Sequence, residues 1–393
     1  MCSITTPRAW TPMVSIIIPC WNEQHHIAST LRSIFNQDYP AQLIEIIIVD
    51  GGSTDNTLNI IHSIQRSRTD TRIRIVDNPY RTTAYALNIG IAVARGEIIF
   101  TFGAHTRYSP NYISGAIKIL NQSGADAVGS IAVTLPSAPT AVARTIARIL
   151  SSPFGVGNSL MRIRGRKKSS GPINTPAPVT ADTASCPGYR RTVFDKIGKF
   201  NTALVRNQDI EFHLRLRRAG GKVLLSPEIK TYYYARATFA QLFKNNLENG
   251  YWVIKSIRYA ALPFAPRHLV PAIFVSTFLL TALTAPFLSL ARILFVLTIG
   301  LYLLADISAS LLSFVTSPST LIYFPLYLIT YPILHTSYGL GSLWALLTLW
   351  RPDPAPRLPG NKAQQNADPI HELPLPHVPA PDNSKITATS DPC

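Results

Sequence analysis

The stretch "IIIVDGGSTDNT" (residues 46–57) determines how the first half of the chain is interpreted. Its β-branched run, which extends back over residues 44–49, predicts a buried strand. Asp50 follows the strand directly, and the two glycines after it allow close approach of a backbone or a ligand. Residues 53–55 are good N-cap candidates for a helix over Thr57 to Gln65. The stretch therefore predicts a strand, a polar loop and a helix in succession.

The same alternation extends to both sides of this stretch. Three further strands are predicted at Met13–Pro19, 73–79 and 97–102, and two further helices at 23–37 and 82–96. Alternation at this spacing is typical of βαβ units with a parallel sheet. Open sheets of this kind bind ligands at the carboxyl ends of their strands. The loops "PCWNE", "DGGSTDN" and "GAHTRY" follow three of those ends.

Asp50 has two interpretations at this stage. A carboxylate at the sheet edge can accept hydrogen bonds from a base or a ribose, but an aspartate after a strand is often only a helix cap. Asn22 and Glu23 form a second polar loop. No GxGxxG motif is present, which disfavours a dinucleotide-binding fold of the dehydrogenase type.

The chain is less regular between about Pro136 and Ala181. This segment contains the basic run "RIRGRKKSSG" (162–171), for which a solvated mobile loop is favoured over a contact with anionic lipid headgroups. Strand and helix patterns resume in residues 185–200 and 207–227.

The composition indicates contact with a membrane. Hydrophobic residues make up 47% of the chain and charged residues 15%, which is too apolar for a soluble domain with an ordinary surface. The formal net charge of +16 favours anionic partners, such as phosphates or an acidic leaflet. Binding to nucleic acid is disfavoured, because basic and aromatic residues are not interleaved on a recognisable module.

Three apolar stretches account for this composition. Residues 268–290 and 293–315 are nearly uncharged, and each is long enough to cross a bilayer. Residues 321–349 are interrupted by two prolines, so that a kinked span and a re-entrant hairpin both remain open. Before them, the amphipathic residues 237–260 suit a helix at a membrane surface.

The termini and the cysteines add little chemistry. The N-terminus lacks a basic start followed by an apolar core, so the first folded part is expected in the cytoplasm. The four cysteines are widely separated and indicate neither a zinc site nor a disulfide scaffold. The expected domains are an N-terminal extension (1–12), an α/β domain (13–236), an interfacial amphipathic segment (237–266), a membrane region with two or three transmembrane helices (267–350) and a disordered Pro-rich tail (351–393).

Four motifs in fixed order identify a family. They are "VSIIIPCWNE", "IIIVDGGSTDNT", "ALNIGIAVARGEIIF" and "NQDIEFHLRLRRAGG". Together they resemble the family 2 inverting glycosyltransferases with the GT-A fold, over about Val14 to Tyr234. "SSPFGVGNS", "ADTASCPGYRR" and "SYGLGSLW" point to the bacterial exopolysaccharide branch that includes succinoglycan-type glucosyltransferases, and extend the resemblance nearly to Trp350. The resemblance implies an α/β domain with a mixed, mostly parallel sheet, followed by C-terminal transmembrane helices.

The resemblance also implies roles for single residues. Asp50 would read the uracil or the ribose of the donor. Asp209 would be the general base, because an inverting transfer needs one carboxylate to take the proton of the acceptor hydroxyl. Glu211 beside it is interpreted as structural. The donor-binding residues implied are Pro19, Asn22, Glu23, Asp50, Ser53, Arg81, Asn88 and Ala104.

A metal site is implied after the fourth strand, with one departure from the pattern. Family members usually carry an acid–x–acid motif there, which in the exopolysaccharide branch often reads Asp-Ala-His. Here the residues are Gly103, Ala104 and His105, so the first acid is missing. His105 is interpreted either as a ligand of Mn²⁺ or Mg²⁺, with imidazole better suited to Mn²⁺, or as a structural residue. Five arginines are candidates for neutralising the donor diphosphate beside the ion: Arg107, Arg190, Arg191, Arg206 and Arg236. Most of the five are expected to be ordinary surface or acceptor-side groups instead.

The resulting hypothesis is a membrane-anchored inverting sugar transferase. It uses a nucleotide-sugar donor, expected to be UDP-linked, and a polyprenyl-diphosphate-linked glycan acceptor at the cytoplasmic face of the inner (plasma) membrane. Two alternatives stay open. One is a transferase that acts on polyprenyl phosphate itself. The other is a catalytically silent relative that scaffolds a glycan-assembly complex, which Gly103 alone supports.

Overall fold

The computed structural model describes residues 10–68, 70–163, 177–259, 265–315 and 322–351. Most of the N-terminal extension, most of the basic run and nearly all of the predicted disordered tail lie outside these residues. The sequence expectations for those three segments therefore stay expectations.

Nine strands form one mixed sheet among the described residues. They are β1 (Val14–Cys20), β2 (Ile44–Asp50), β3 (Arg72–Asp77), β4 (Ile98–Thr101), β5 (Thr106–Tyr108), β6 (Ala127–Pro136), β7 (Val179–Thr180), β8 (Ser185–Arg190) and β9 (Val223–Ala235). The order is β3-β2-β1-β4-β8-β6-β9-β5, with β7 beside β9. Strands β1 to β4 pair in parallel, as does β6 with β9, whereas β8, β7 and β5 pair with their neighbours in antiparallel fashion.

The strand register brings the predicted polar loops to one edge of the sheet. Cys20 at the end of β1 is paired with Asp50 at the end of β2, and Asp50 is paired with Asp77 at the end of β3. The backbone N–H of Phe102 donates to the carbonyl of Ile17, so β4 ends close by. The expectation that the loops after β1, β2 and β4 share an edge is therefore confirmed.

Helices cover both faces of this sheet. In the α/β domain they are α1 (Ile27–Phe35), α2 (Thr57–Ser67), α3 (Thr83–Val93), α4 (Tyr112–Ser123), α5 (Ala141–Ile149), α6 (Pro153–Val156), α7 (Leu160–Ile163), α8 (Thr192–Ile197) and α9 (Gln208–Arg218). Alternate residues of β1 enter two separate apolar cores: Ile16 and Ile18 enter one, and Ile17 enters the other. Because both faces are buried, the central strands are continuous aliphatic runs rather than alternating ones.

Four helices follow or extend the domain: α10 (Phe239–Lys255), α11 (Val270–Thr284), α12 (Ser289–Val315) and α13 (Phe324–Leu347). Among the described residues, Pro266–Thr284 and Ser289–Ser313 are long and apolar enough to cross a membrane. These two segments are mostly exposed; for example, Leu283 is 73% and Leu301 is 66% accessible. The core helix of a water-soluble protein would bury such residues, so this exposed apolar surface fits contact with lipid.

The third apolar stretch forms the single helix α13, which continues through Pro332. The interpretation as a re-entrant hairpin is therefore wrong. The Thr336 hydroxyl donates to the carbonyl of Pro332 at 2.6 Å. Such local bonds and the packing of neighbouring helices let a helix tolerate an internal proline.

The amphipathic segment forms α10, and α13 covers one of its faces. Leu247 of α10 lies against Gly341, and Gly250 lies against Tyr338 and Ser342. Further along both helices, the ammonium group of Lys255 donates to the carbonyl of Thr348 at 2.8 Å. The two helices therefore run parallel. Glycines at the contact allow their backbones to approach closely.

A third apolar cluster connects the α/β domain with the C-terminal helices. It contains Ile146 and Ile149 of α5, Leu242 of α10, and Tyr331 and Leu334 of α13. Ion pairing adds to this contact, because the Arg267 guanidinium just before α11 donates to the Asp182 carboxylate at 2.5 Å. Both contacts join the C-terminal helices to the α/β domain.

Candidate active site

The loops after β1 and β2 are bonded to each other. The carboxylate of Asp50 accepts from the N–H groups of Gly52 and Ser53 at 2.9 Å, and from the Ser53 hydroxyl at 2.6 Å. That hydroxyl accepts the N–H of Asn22, whose own side-chain oxygen accepts the N–H of Thr54. Asp50 is 3% exposed, and its hydrogen bonds stabilise the conformation of this loop. Pro19 is the second-last residue of β1, just before this loop. Ser53 and Asn22 make the hydrogen bonds at the centre of the loop.

Two residues of this edge adopt left-handed backbone conformations. Asn22 has φ of 54° and Arg81 has φ of 56°. Residues other than glycine seldom adopt this region, and when they do they cluster at ligand sites. The guanidinium of Arg81 lies against Gly52, where an added Cβ would be 3.4 Å from Nη2. Arg81 therefore lies beside the Asp50 loop, and its contact with the donor stays a prediction.

The side chain of Asn88 is hydrogen-bonded to the backbone of Phe200. Its side-chain amide donates to the carbonyl of Phe200 at 2.8 Å and accepts the N–H of the same residue at 2.9 Å. Both ends of the amide thus connect α3 to the segment before α9. A contact of Asn88 with the donor stays a prediction.

Local contacts hold the main chain at Gly103. Its N–H donates to the hydroxyl of Tyr108 at 2.7 Å, and Tyr108 stacks on Phe102 with ring centroids 3.7 Å apart. Ala104 is buried, and its carbonyl accepts from the Thr30 hydroxyl at 2.7 Å. The main chain after β4 is thus held by hydrogen bonds, without a carboxylate at position 103.

His105 lies beside the loop after β1. Its Nδ1 is 3.0 Å from the Glu23 carboxylate, and the side chain is half-exposed. The ring of His26 lies 6.4 Å away, measured between centroids. In the part of the chain that the structure describes, no group of three His, Cys, Asp or Glu residues could hold a metal. A divalent ion at His105 would therefore need oxygen ligands from a bound donor to complete its shell.

Asp209 stands in the first turn of α9, after Asn207 with φ of 62°. Asp209 is an exposed residue, and neighbouring protein atoms partly desolvate its carboxyl group. That desolvation raises the pKa of the Asp209 carboxyl above the ordinary 3.8, against the lowering effects of the Ile210 N–H and the Arg162 charge. A carboxylate with a raised pKa is a stronger proton acceptor, as a general base requires.

Two residues near Asp209 were not singled out from the sequence as parts of the site. Cys186 of β8 has φ of 47° and accepts a hydrogen bond from Tyr108 at 3.6 Å. Arg162 lies over the ring of Tyr233 at 5.3 Å, and its Nη1 has no hydrogen-bond partner among the described residues. Because Asp209 affects the pKa of Cys186, and Arg162 affects that of Asp209, these groups share one region. Arg162 lies in the basic run, which was interpreted as a solvated loop.

An exposed tryptophan was also missed. Trp21 is 53% accessible, and its Cβ would be 3.3 Å from a Cβ added at Gly51. A large aromatic side chain is thus presented to solvent beside the Asp50 loop. The signal was available in "PCWNE", since an aromatic residue in a polar loop at a strand end is a candidate for stacking on a base.

Two of the arginine candidates lie far from the loops after β1 and β2. Arg190 is paired with Ile98 at the start of β4, so it lies at the opposite edge of the sheet. Arg191 donates to the carbonyl of Gly96 at 2.8 Å, close to the same place. The expectation that these two neutralise the donor diphosphate is therefore wrong, because β8 runs antiparallel to β4. Arg107 lies 5.1 Å from the ring of Tyr234.

Several known proteins are similar to this chain in sequence. A family model described as "Glycosyl transferase family 2" matches residues 15–198. The chain is 31% identical to a dolichyl N-acetyl-alpha-D-glucosaminyl phosphate 3-beta-D-2,3-diacetamido-2,3-dideoxy-beta-D-glucuronosyltransferase of Methanococcus voltae, over 60% of this chain and 71% of that protein. It is 26% identical to succinoglycan biosynthesis protein ExoA of Rhizobium meliloti, over 63% of this chain and 71% of that protein.

A solved structure supports the fold. The mannosyltransferase PcManGT from Pyrobaculum calidifontis, determined in complex with GDP-Man and Mn²⁺, superposes with a TM-score of 0.53. The match covers 86% of this chain and 88% of that chain at 18% identity. At that identity the likeness concerns the fold alone, and together with the sheet order it confirms the GT-A architecture.

Proposed function

This chain belongs to glycosyl transferase family 2, and on that premise we propose that it transfers a sugar, with inversion, from a UDP-linked donor to a lipid-linked glycan. It is a glycosyltransferase, and its relatives include an exopolysaccharide biosynthesis protein. The observation that carries the proposal is Asp209, a carboxylate with a raised pKa in the first turn of α9.

Asp209 has the chemistry of the general base. Its carboxylate accepts the proton of the acceptor hydroxyl as that oxygen forms a bond to the anomeric carbon. The bond between the anomeric carbon and the diphosphate oxygen breaks on the opposite face, and the nucleoside diphosphate leaves with the electron pair. Attack opposite the leaving group inverts the anomeric configuration. A positioned base typically contributes about 10²–10⁴-fold to the rate of such a step.

The loops after β1 and β2 are proposed to bind the nucleotide. Asp50 holds the loop through its bonds to Gly52 and Ser53, and retains lone pairs for a base or a ribose. The exposed ring of Trp21 offers a face on which the base can stack. The Arg81 guanidinium beside Gly52 can pair with phosphate oxygens. Pro19, Asn22, Glu23, Asn88 and Ala104 complete the proposed donor-binding set.

His105 and Glu23 are the residues that would hold a divalent ion. Their separation of 3.0 Å orients the imidazole through Nδ1 and leaves Nε2 for a ligand bond. The pair fits an ion whose remaining ligands are diphosphate oxygens, and imidazole favours Mn²⁺ over Mg²⁺. Such an ion would offset the charge on the leaving diphosphate.

The C-terminal helices support a membrane-borne acceptor. Pro266–Thr284 and Ser289–Ser313 present apolar surface, and the contacts of α5 with α13 fix the transferase domain beside them. We propose that residues 13–236 form the transferase domain, 237–266 an interfacial segment and 267–350 the membrane region. The domain would lie at the cytoplasmic face of the inner membrane, where nucleotide sugars are available.

A donor screen with purified protein tests this proposal. Nucleotide sugars are offered with and without a lipid-linked glycan, and release of nucleoside diphosphate and the anomeric configuration of the product are measured. Asp209→Asn should remove transfer, whereas Asp195→Asn on the exposed face of α8 should not. Absence of turnover with every donor would favour the silent scaffold, and a product of retained configuration would refute the inverting mechanism.

A further inference from the structure

A cationic pocket lies beside the segment that precedes α9. It is lined by Arg206, Arg236, Gln241, Lys244, Asn245 and Glu248, and its volume is about 320 Å³. None of the eight residues proposed to bind the donor belongs to it, although Arg206 and Arg236 were candidates for neutralising the donor diphosphate. Three cationic side chains against one carboxylate, with no aliphatic side chain in the lining, suit an anion rather than an apolar ligand.

One cation of this pocket is fixed and two are free. Arg206 pairs with Glu248 at 2.5 Å and donates to the side-chain oxygens of Asn245 and Asn249. In contrast, Arg236 and Lys244 are exposed, and the side chain of neither has a hydrogen bond or an ion pair within the described ranges. The pocket therefore holds two uncompensated positive charges beside a pair that is already neutral.

The pocket connects the base to the helices beside the membrane. Arg206 precedes Asp209 by three residues, and its partners lie on α10. The same helix continues to Gly250, which packs against α13. Phe243, next to Lys244, is 38% accessible and adds apolar surface at the rim. The pocket is thus lined by the segment before α9 and by α10, which packs against α13.

We propose that this pocket binds the diphosphate of a polyprenyl-diphosphate-linked acceptor, with Arg236 and Lys244 as its ligands. The inference rests on the proposed function, since it assigns the acceptor side of that transfer. A diphosphate carries enough negative charge to occupy both free cations. The attached polyprenyl chain would pass Phe243 toward the membrane helices, and the glycan would extend toward Asp209.

Binding of farnesyl diphosphate, a water-soluble polyprenyl diphosphate, tests the assignment. Affinity is measured for the full chain in detergent with UDP present, so that a nucleotide site is occupied. Lys244→Gln and Arg236→Gln should each weaken binding about tenfold, the scale of one lost charge-assisted contact. Lys244→Arg should retain binding, and Lys118→Gln on α4 is the matched surface control. Unfolding temperatures equal to wild type show that the variants are folded.

Two results would overturn the assignment. If the double variant Arg236→Gln, Lys244→Gln binds farnesyl diphosphate as tightly as wild type, this pocket is not the binding site. Inorganic pyrophosphate binding as tightly as farnesyl diphosphate would assign a soluble anion instead of a lipid. Because this assay uses neither a sugar donor nor turnover, its outcome is independent of whether the proposed transfer occurs.

Discussion

The contact between α10 and α13 gives a prediction whose size follows from the structure. A Cβ added at Gly250 would be 2.9 Å from the carbonyl carbon of Tyr338 and 3.1 Å from the Ser342 hydroxyl, and closer still to the Tyr338 oxygen. Ordinary contact begins at about 3.4 Å, and two of these three atoms are backbone, so no rotamer change relieves the clash. The helices must separate, which also lengthens the 3.3 Å bond from Ser342 to the Gly250 carbonyl.

We expect Gly250→Ala to lower the free energy of unfolding by about 1–2 kcal/mol. Overpacking costs about 1–3 kcal/mol, and a clash with backbone atoms places the cost at the upper end, about 2–3 kcal/mol. The better helix propensity of alanine returns about 1 kcal/mol. Gly300→Ala on α12 is the matched control, because nothing lies within 4 Å of its added Cβ and it has the same gain in propensity. Unfolding of the purified chain is followed by tryptophan fluorescence. Equal or greater stability of Gly250→Ala relative to wild type would refute this packing.

Four further predictions concern the reaction. Asp209→Asn should lower turnover by about 10²–10⁴-fold while donor affinity stays near wild type, measured by equilibrium binding and rate. Activity should fall on acidification through a pKa above 3.8, because protonated Asp209 cannot accept the acceptor proton; a flat acidic limb in a pH–rate profile would contradict this. Chelator should abolish activity, Mn²⁺ should restore it better than Mg²⁺, and His105→Ala should lose that response; activity that survives chelation would exclude a metal role. Gly103→Asp should gain Mg²⁺-dependent activity in the same assay, although its Cβ would be 3.0 Å from the Thr106 hydroxyl.

Local signals explain why the first half of the fold could be predicted. The continuous aliphatic runs of β1, β2 and β4 reflect burial on both faces, and the polar residues after them mark the ligand edge. The predicted strand at 44–49 ends one residue before the observed β2. The bonds of Asp50 to Ser53 also follow from residues within one turn.

The features that were missed depend on long-range geometry. The direction of β8 decides that Arg190 lies away from the donor loops, and nothing within residues 185–200 encodes that direction. Helix α5 lies in a segment interpreted as less regular, and much of its burial comes from α13, which is far away in sequence. Likewise, Arg162 comes near Asp209 only through the folding of the chain, because the two residues are far apart in sequence.

The parallel contact of α10 with α13 also constrains the order of events during synthesis. Ser342 follows Gly250 by 92 residues, so α10 leaves the ribosome well before its partner is made. At roughly 5–20 residues per second, that delay is about 5–20 seconds. During this interval α11 and α12 are synthesised while the glycine face of α10 stays uncovered. Helix α13 can therefore cover α10 only after both intervening helices have left the ribosome.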